Sequence, residues 1–489
     1  MMDLAPPRTT KAIIDGALCA AASGETNEVR SPIDGLVFAE LPRCGAEDLD
    51  RAVRGARTAF EDRRWQGMTP KARKKIMSAW AELVEAEFDE LCALQSRDMG
   101  MPITMARNLE MANALDALRW YAEVCDKLYE EMVTLEDNVT ALIQRTPLGV
   151  VGAILPWNAP AMIGAWKVGP ALAAGNCVVL KPAEEASMVW LRLGELALQA
   201  GVPAGVLQVV PGRGSVIGSG LSRHMDVDAL TFTGSGPVGR QIMAAAADSN
   251  LKRVSLELGG KSANIVMADA PDLTMAADVQ VGFMFSNQGQ VCEAPSRLLV
   301  QREIAEDFLA EVAARAAALR IGNPLDERTD MGPIVSAAQR EAVVAHIDLA
   351  EADGGELILD GRAMPVPAEG YYLGASVIRV DDPHVHIAQE EVFGPVLTAI
   401  AFDTVDEAIS IANATRYGLG AGLWSDSMDT IMYATRRLVA GNINVNGGSG
   451  PAVELPFGGF KESGFGRDRS LHAVDKFSDT KNIILRSKR

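Results

Sequence analysis

Ala229-Leu-Thr-Phe232 runs through Thr233 into Gly234-Ser-Gly236-Pro-Val-Gly239, and Arg240-Gln-Ile-Met-Ala-Ala-Ala-Ala247 follows. The order is a short apolar strand, a glycine-rich turn and a helix. A G-x-G-x-x-G turn in that setting lets the backbone approach a pyrophosphate and aims a helix N-terminus at it. A tight turn with no ligand gives the same letters, so the surrounding chain has to decide. About twenty residues on, where a dinucleotide fold of this kind places a ribose-binding acid, stands Glu257. That assignment is set aside, because Glu257 has a different role below.

Working outward, the strand-like runs Val150–Leu155, Cys177–Leu180, Val206–Val210 and Ala229–Phe232 alternate with helical patterns such as Trp190–Ala200. Short apolar strands separated by helices mean βαβ units and a parallel sheet. A second alternation takes in Asn264–Met267, Arg297–Val300, Val396–Phe402 and Asn442–Val445, which predicts a second α/β domain. Upstream, helices are expected over Ala46–Phe60 and, at longer reach, Pro102–Glu131, where Trp120 and Tyr121 read as core. Thr140–Arg145 and Lys481–Leu485 stand apart as β-like stretches, able to pair with each other or with another subunit. Residues 1–10 read as a loose tail.

The chain has 489 residues, more than one core usually supports, so two or more domains are expected. Its net charge of -18 disfavours nucleic acid and anionic lipid as partners. Any phosphate must therefore be held by local groups. Six scattered cysteines without a CxxC pair argue against a disulfide framework or a zinc site. His384 and His386 fall in what reads as a loop, and no metal is expected. The opening residues lack a secretory pattern and no apolar run approaches 18 residues, so a cytoplasmic protein with no membrane partner is the expectation.

Two further stretches carry chemistry. Lys181-Pro-Ala-Glu184 follows a strand, at the end where open α/β sheets bind ligands. Lys181 suits a phosphate or ribose oxygen, and Glu184 suits ribose hydroxyls while repelling a 2'-phosphate, which favours NAD over NADP. An acid at a helix start is the plainer explanation of Glu184. Cys292, in Asn287-Gln-Gly-Gln-Val-Cys292, follows a glycine turn and precedes a strand. A lone Cys is usually a small buried hydrophobe. As a nucleophile it needs its thiolate form, helped by a helix N-terminus or cation.

Seven stretches in order, PWNAP (156–160), KPAE (181–184), FTGS (232–235), LELGGKS (256–262), NQGQVC (287–292), EEVFGPV (390–396) and PFGGFKESGFGRD (456–468), make the chain resemble the aldehyde dehydrogenase superfamily over essentially its whole length. The resemblance implies an α/β fold with a Rossmann-like cofactor domain (1–124 and 148–258), a second α/β catalytic domain (259–469) and a small β oligomerisation flap (125–147 and 470–489). It implies a homodimer or homotetramer that oxidises a small aldehyde to its acid with NAD, NADP remaining possible. It makes Cys292 the nucleophile, Asn158 an oxyanion donor and Glu257 the base for the deacylating water. Retention of that acid implies the hydrolytic class rather than the CoA-acylating one. It places Trp157, Lys181, Glu184, Gly234, Ser235, Glu391 and Phe393 on the cofactor, and Lys167 with Asp468 as a distal proton-handling pair.

Departures bear on detail. Gly236-Pro237 stands where the family commonly has other residues, and Pro237 removes an N–H near the helix start. Ala159, Met162, Ile163, Trp166 and Val291 predict an apolar tunnel for an uncharged aliphatic or aromatic aldehyde. The segment 447–454 lacks aromatic residues, which predicts a roomy entrance. The stretches SRHMDVDALTFTGS, KSANIVMADAPDL and GRDRSLHAVDKF are most similar to the branch of gamma-glutamyl-gamma-aminobutyraldehyde dehydrogenases. Likeness outside the pocket does not carry the substrate with it.

Overall fold

The computed structural model describes residues 10–448 and 452–488. Two sheets dominate. The first has eight strands in the order Ala17–Cys19, Ala12–Ile14, Leu207–Val209, Cys177–Lys181, Val150–Ile154, Ala229–Thr233, Arg253–Glu257 and Gly464–Phe465. Its five central strands are parallel, and the flanking pairings of Ala12–Ile14 and Gly464–Phe465 are antiparallel. Successive strands step outward from Val150–Ile154 in one direction, and then Ala229–Thr233 pairs on its other side. Strand order reverses there, and an open α/β sheet leaves its ligand crevice at that point. The turns after those two strands carry Trp157-Asn158 and Gly234-Ser235.

The second sheet has seven strands, in the order Glu356–Leu359, Ser376–Arg379, Val396–Phe402, Arg297–Gln301, Ala263–Val266, Gly420–Trp424 and Asn442–Val445. All neighbours are parallel except the first pair. Leu258–Ser262 joins the last central strand of the first sheet to the middle of the second. Strands such as Cys177–Lys181 are buried at every residue, as a sheet covered on both faces requires.

Helix Pro160–Ala173 is buried along its whole length. A helix apolar all round belongs in the interior, so the single cation it carries, Lys167, needs a buried partner.

The strand expectations hold to within one or two residues, except that the stretch expected over Lys481–Leu485 begins three residues earlier, at Ser478. The long helix does not. It comprises Ile103–Met105, a π turn Ala106–Met111 and Ala112–Val124, and stops short of Glu131. Residues Glu131–Glu136 are instead a strand of a third, antiparallel sheet with Val139–Pro147 and Ser478–Arg486. The two β-like stretches singled out in the sequence therefore pair with each other, in register from Ser478 opposite Pro147 to Arg486 opposite Val139. His386 opens a short helix rather than sitting in a loop, and it stacks on His346 with ring centroids 5.1 Å apart. Residues 1–9 of the expected tail lie outside the described residues.

All six cysteines are free. Among the described residues no helix is long and apolar enough to cross a membrane, and no three His, Cys, Asp or Glu side chains gather as a metal set.

Candidate active site

Cys292 stands between the turn Ser286–Gly289 and strand Arg297–Gln301. Asn287 and Gln288 both adopt left-handed backbone, with φ of 45° and 59°. Non-glycine residues hold that conformation only when their surroundings over-determine it. Here the side chains do so. Asn287 donates to the carbonyl of Asn158 (2.9 Å), and Gln288 donates to those of Gly100 (2.7 Å) and Pro333 (2.8 Å). Gln290 donates to the Asn287 carbonyl (3.1 Å) and accepts from the Val335 N–H (3.0 Å). Gly289 has φ +70°, and a Cβ there would strike the Gly394 carbonyl. The polar run before Cys292 is thus a brace that fixes the thiol's position.

Asn158 lies on the turn between strand Val150–Ile154 and helix Pro160–Ala173. Its Nδ2 donates to the Gln290 carbonyl at 3.0 Å. A side-chain amide has two N–H donors, so one is left to point into the cavity. Glu257 ends strand Arg253–Glu257, is 3% exposed, and neither of its oxygens has a hydrogen-bond partner among the described residues. Burial, reinforced by the Asp468 carboxylate, pushes its carboxyl well above the ordinary range.

Two cavities meet at these residues. One, of about 750 Å³, opens at the crevice of the first sheet and reaches from Lys181 and Glu184 past Gly234 and Ser235 to Glu391, Phe393 and Cys292. The other, of about 680 Å³, runs from Cys292 between Ala159, Met162, Ile163, Trp166 and Val291. Cys292, Asn158, Thr233 and Leu258 line both. Every candidate catalytic and cofactor residue falls on this pair of cavities, Glu257 on the second; of the distal pair, Asp468 lines the second and Lys167 lines neither.

Within the first cavity, Lys181 is 5% exposed and burial lowers its ammonium below the usual value. Glu184 Oε1 accepts from the Gly214 N–H at 2.9 Å. Ser235 is the N-cap of helix Gly236–Ala247, and its side chain makes no cap bond, so the helix's first N–H groups remain available. Gly234 N–H is committed to the Glu257 carbonyl (3.1 Å), which ties the phosphate-type turn to the base candidate. Glu391 Oε1 accepts from the Gly260 N–H at 3.0 Å, and burial raises its carboxyl to about 7. A Cβ on Gly259 would run into that carboxylate. Phe393 packs edge-on against Trp157 at 5.2 Å.

These groups fit a dinucleotide: a helix N-terminus for the pyrophosphate, a carboxylate near each end for ribose hydroxyls, and a buried cation.

The structure adds residues the sequence reading passed over. Glu293, directly after Cys292, lines the tunnel as a half-buried acid, one of several carboxyl groups in a largely apolar wall. Glu110, fully buried, lies in that wall too, and its Oε1 accepts from the Met162 N–H at 3.1 Å. The thiol of Cys292 is pushed well up by burial, and Glu293, Glu391 and Glu257 push it the same way. Arg469 lies over the rings of Trp166 and Phe457 at 5.1 and 4.9 Å. Lys167 and Asp468 do meet, Nζ to Oδ2 at 2.9 Å, and Lys476 joins them. Of the entrance segment, Gly448 lines the tunnel, while residues 449–451 lie outside the described residues.

The pattern of the aldehyde dehydrogenase family matches residues 19–483. The NADP/NAD-dependent aldehyde dehydrogenase PuuC of Escherichia coli K12 is 44% identical over 470 residues, covering 96% of this chain and 94% of that one. Aminoacetaldehyde dehydrogenase of Pseudomonas aeruginosa is 43% identical over 474 residues, covering 97% and 95%. Among solved structures, P. syringae AldA indole-3-acetaldehyde dehydrogenase in complex with NAD+ and IAA superposes with a TM-score of 0.96 at 44% identity, over 98% and 97% of the two chains. Gamma-glutamyl-gamma-aminobutyraldehyde dehydrogenase from Burkholderia cenocepacia gives 0.95 at 45%, over 97% and 96%. With a thiol and a buried acid set where a dinucleotide crevice meets an apolar tunnel, and with likeness across nearly its full length, this chain belongs to the aldehyde dehydrogenase family.

Proposed function

We propose that the protein oxidises an aldehyde to its carboxylic acid with NAD+, through a thioester on Cys292 that Glu257 helps to hydrolyse. The observation that carries this reading is the position of Cys292, on the wall shared by the two cavities, with the Asn158 amide beside it. An aldehyde entering by the tunnel and a nicotinamide entering by the crevice would then meet at one sulfur.

The Cys292 sulfur adds to the carbonyl carbon and the π pair moves onto oxygen. The free Asn158 N–H and the backbone N–H of Cys292 are the donors for that oxyanion, already aimed before the charge forms. NAD+ supplies the hydride acceptor when bound. Loss of hydride from the carbon restores C=O as a thioester. Glu257 then takes a proton from water while the water oxygen bonds to the acyl carbon, the C–S bond breaks and its electron pair returns to Cys292. The products are the acid and the thiolate. Burial first, and then Glu293, Glu391 and Glu257, push the thiol up and favour its protonated form in the free protein. Binding a cationic nicotinamide among those acids favours the thiolate, so the cysteine is activated where the cofactor already sits.

Lys181, Glu184, Gly234, Ser235, Trp157, Glu391 and Phe393 hold the cofactor in this reading. Glu184 disfavours a 2'-phosphate and so favours NAD, although PuuC carries both cofactors in its name. The apolar tunnel fits the uncharged chain of an aliphatic or aromatic aldehyde. Residues 1–124 and 148–258 serve as the cofactor domain, 259–469 as the catalytic domain, and 125–147 with 470–489 as the assembly flap. Met132, Leu135, Ile484 and Leu485 are exposed apolar side chains on that flap. A second copy covering them would give the homodimer or homotetramer. Free cysteines throughout suit a reducing cytoplasm.

The test is NADH formation over short, long, aromatic and amine-bearing aldehydes, with Cys292→Ala alongside. Turnover that the substitution abolishes supports the reading. NAD+ binding with no turnover on any aldehyde would overturn it. Mass in solution tests the assembly.

A further inference from the structure

Lys476 lies in the stretch GRDRSLHAVDKF (466–477), but no role is assigned to it above. It follows the short helix His472–Asp475, and only 10% of its side chain is exposed. Its Nζ contacts Asp468 Oδ1, while Lys167 Nζ holds the other oxygen, Oδ2, at 2.9 Å and also donates to Thr231 Oγ1 at 3.2 Å. One carboxylate gripped by two ammonium groups leaves an excess positive charge in a place shut off from water. Glu257 ends the neighbouring strand, paired to the one that carries Thr231, and both of its oxygens lack partners among the described residues. The buried set of Asp468, Glu257, Lys167 and Lys476 is neutral when all four are ionised. Without Lys476 it carries a net negative charge, which would be relieved by protonating Glu257.

We propose that Lys476 is a positioning residue for deacylation: with Lys167 it clamps Asp468, and its charge offsets that of Asp468 beside Glu257, favouring the carboxylate form that accepts the proton of the attacking water. This rests on Glu257 being that base.

The other charged or titratable groups facing Glu257 are few. Arg467 donates to the Gly459 and Gly466 carbonyls at 3.2 and 2.6 Å, and the Cys292 thiol lies on the tunnel side. Burial and then Asp468 push Glu257 up, while Lys167, Lys476 and Arg467 pull it back. Burial alone would raise Asp468, yet the two lysines outweigh that and hold it below its ordinary value. A base must be ionised when water arrives, and Lys476 is the part of this balance with no other visible task.

The experiment follows decay of the acyl-enzyme against pH by quenched-flow mass spectrometry, with single-turnover NADH formation measured on the same samples. Lys476→Met should leave NADH formation at its original rate, slow acyl-enzyme decay roughly tenfold near neutral pH, and move its rise upward by about one pH unit or more. Lys476→Arg should restore the original profile. Asp468→Asn, which keeps both lysines, should move the profile downward, and it decides the matter if Lys476→Met fails to fold. An unmoved profile in Lys476→Met, or in Asp468→Asn where it stands alone, overturns the proposal. Glu257→Gln separates the two readings. Slow decay at every pH in Glu257→Gln with an unmoved profile in Lys476→Met removes Lys476 alone. Normal decay in Glu257→Gln removes the base and this proposal with it.

Discussion

The two cavities that meet at Cys292 are similar in size, about 750 and about 680 Å³, yet they are built in opposite ways. The crevice is made from turns at the carboxyl ends of parallel strands and from the helices that follow them, so several of its groups lie in short motifs fixed by backbone. The tunnel is made from side chains of several helices and loops, from Met101 to Asp468, so its shape is a property of packing. A backbone-built site is expected to govern binding of one common molecule. A side-chain-built site is expected to govern which aldehyde reacts and how fast.

Substitutions can break or sharpen that contrast. The largest effect is expected at the junction: Cys292→Ala should lower turnover by roughly four orders of magnitude or more while NAD+ binding, measured by calorimetry, survives. Loss of NAD+ binding as well would mean the two cavities are not separable. On the tunnel side, Glu257→Gln should slow steady-state turnover by roughly 100- to 10,000-fold and leave a first-turnover burst of NADH. Asn158→Ala should cost roughly 100- to 1,000-fold and, unlike Glu257→Gln, weaken the burst itself, because the oxyanion forms before hydride leaves.

Effects on the crevice side should be smaller and confined to the cofactor. Glu184→Gln should raise use of NADP relative to NAD by on the order of tenfold in kcat/KM, by removing a charge that repels the 2'-phosphate. An unchanged ratio would place the adenosine ribose elsewhere. The smallest change is a pH effect at Glu391, whose carboxyl burial holds at about 7. A ribose hydroxyl donates to the carboxylate and not to the acid, so binding favours the ionised form. NAD+ affinity should therefore rise severalfold as pH rises through about 7, then level off, and Glu391→Gln should flatten the trend.

The same contrast explains what was legible in the sequence. Gly234, Ser235, Lys181, Glu391 and the brace before Cys292 lie in short motifs, because a backbone turn and its capping groups are written within a few residues. Strands of the two sheets were legible as apolar runs for the same reason. Glu131–Glu136 was not, since it is exposed along its whole length and shows no buried alternation, so the helix before it seemed to run on. Lys476 was missed although it shares the stretch 466–477 with Asp468, because only the fold turns the chain so that its ammonium and that of Lys167 meet on one carboxylate. A lysine flanked by buried Val474 and Phe477 was the available signal. Glu293 was similarly available as an acid in an apolar stretch. The entrance at 447–454 rests partly on residues outside those described.

Strand Ser478–Arg486 pairs with Val139–Pro147 across more than three hundred residues, and the stretch leading into it carries Asp468 and Lys476. On a ribosome, most of both sheets can form while that stretch is still unmade, since domains fold as their residues emerge. The thiol would then exist in a nearly finished crevice in which Glu257 and Lys167 are made but Asp468 and Lys476 are not. On the proposed function, residues that bind cofactor would therefore be made before the stretch that completes the cluster around Glu257.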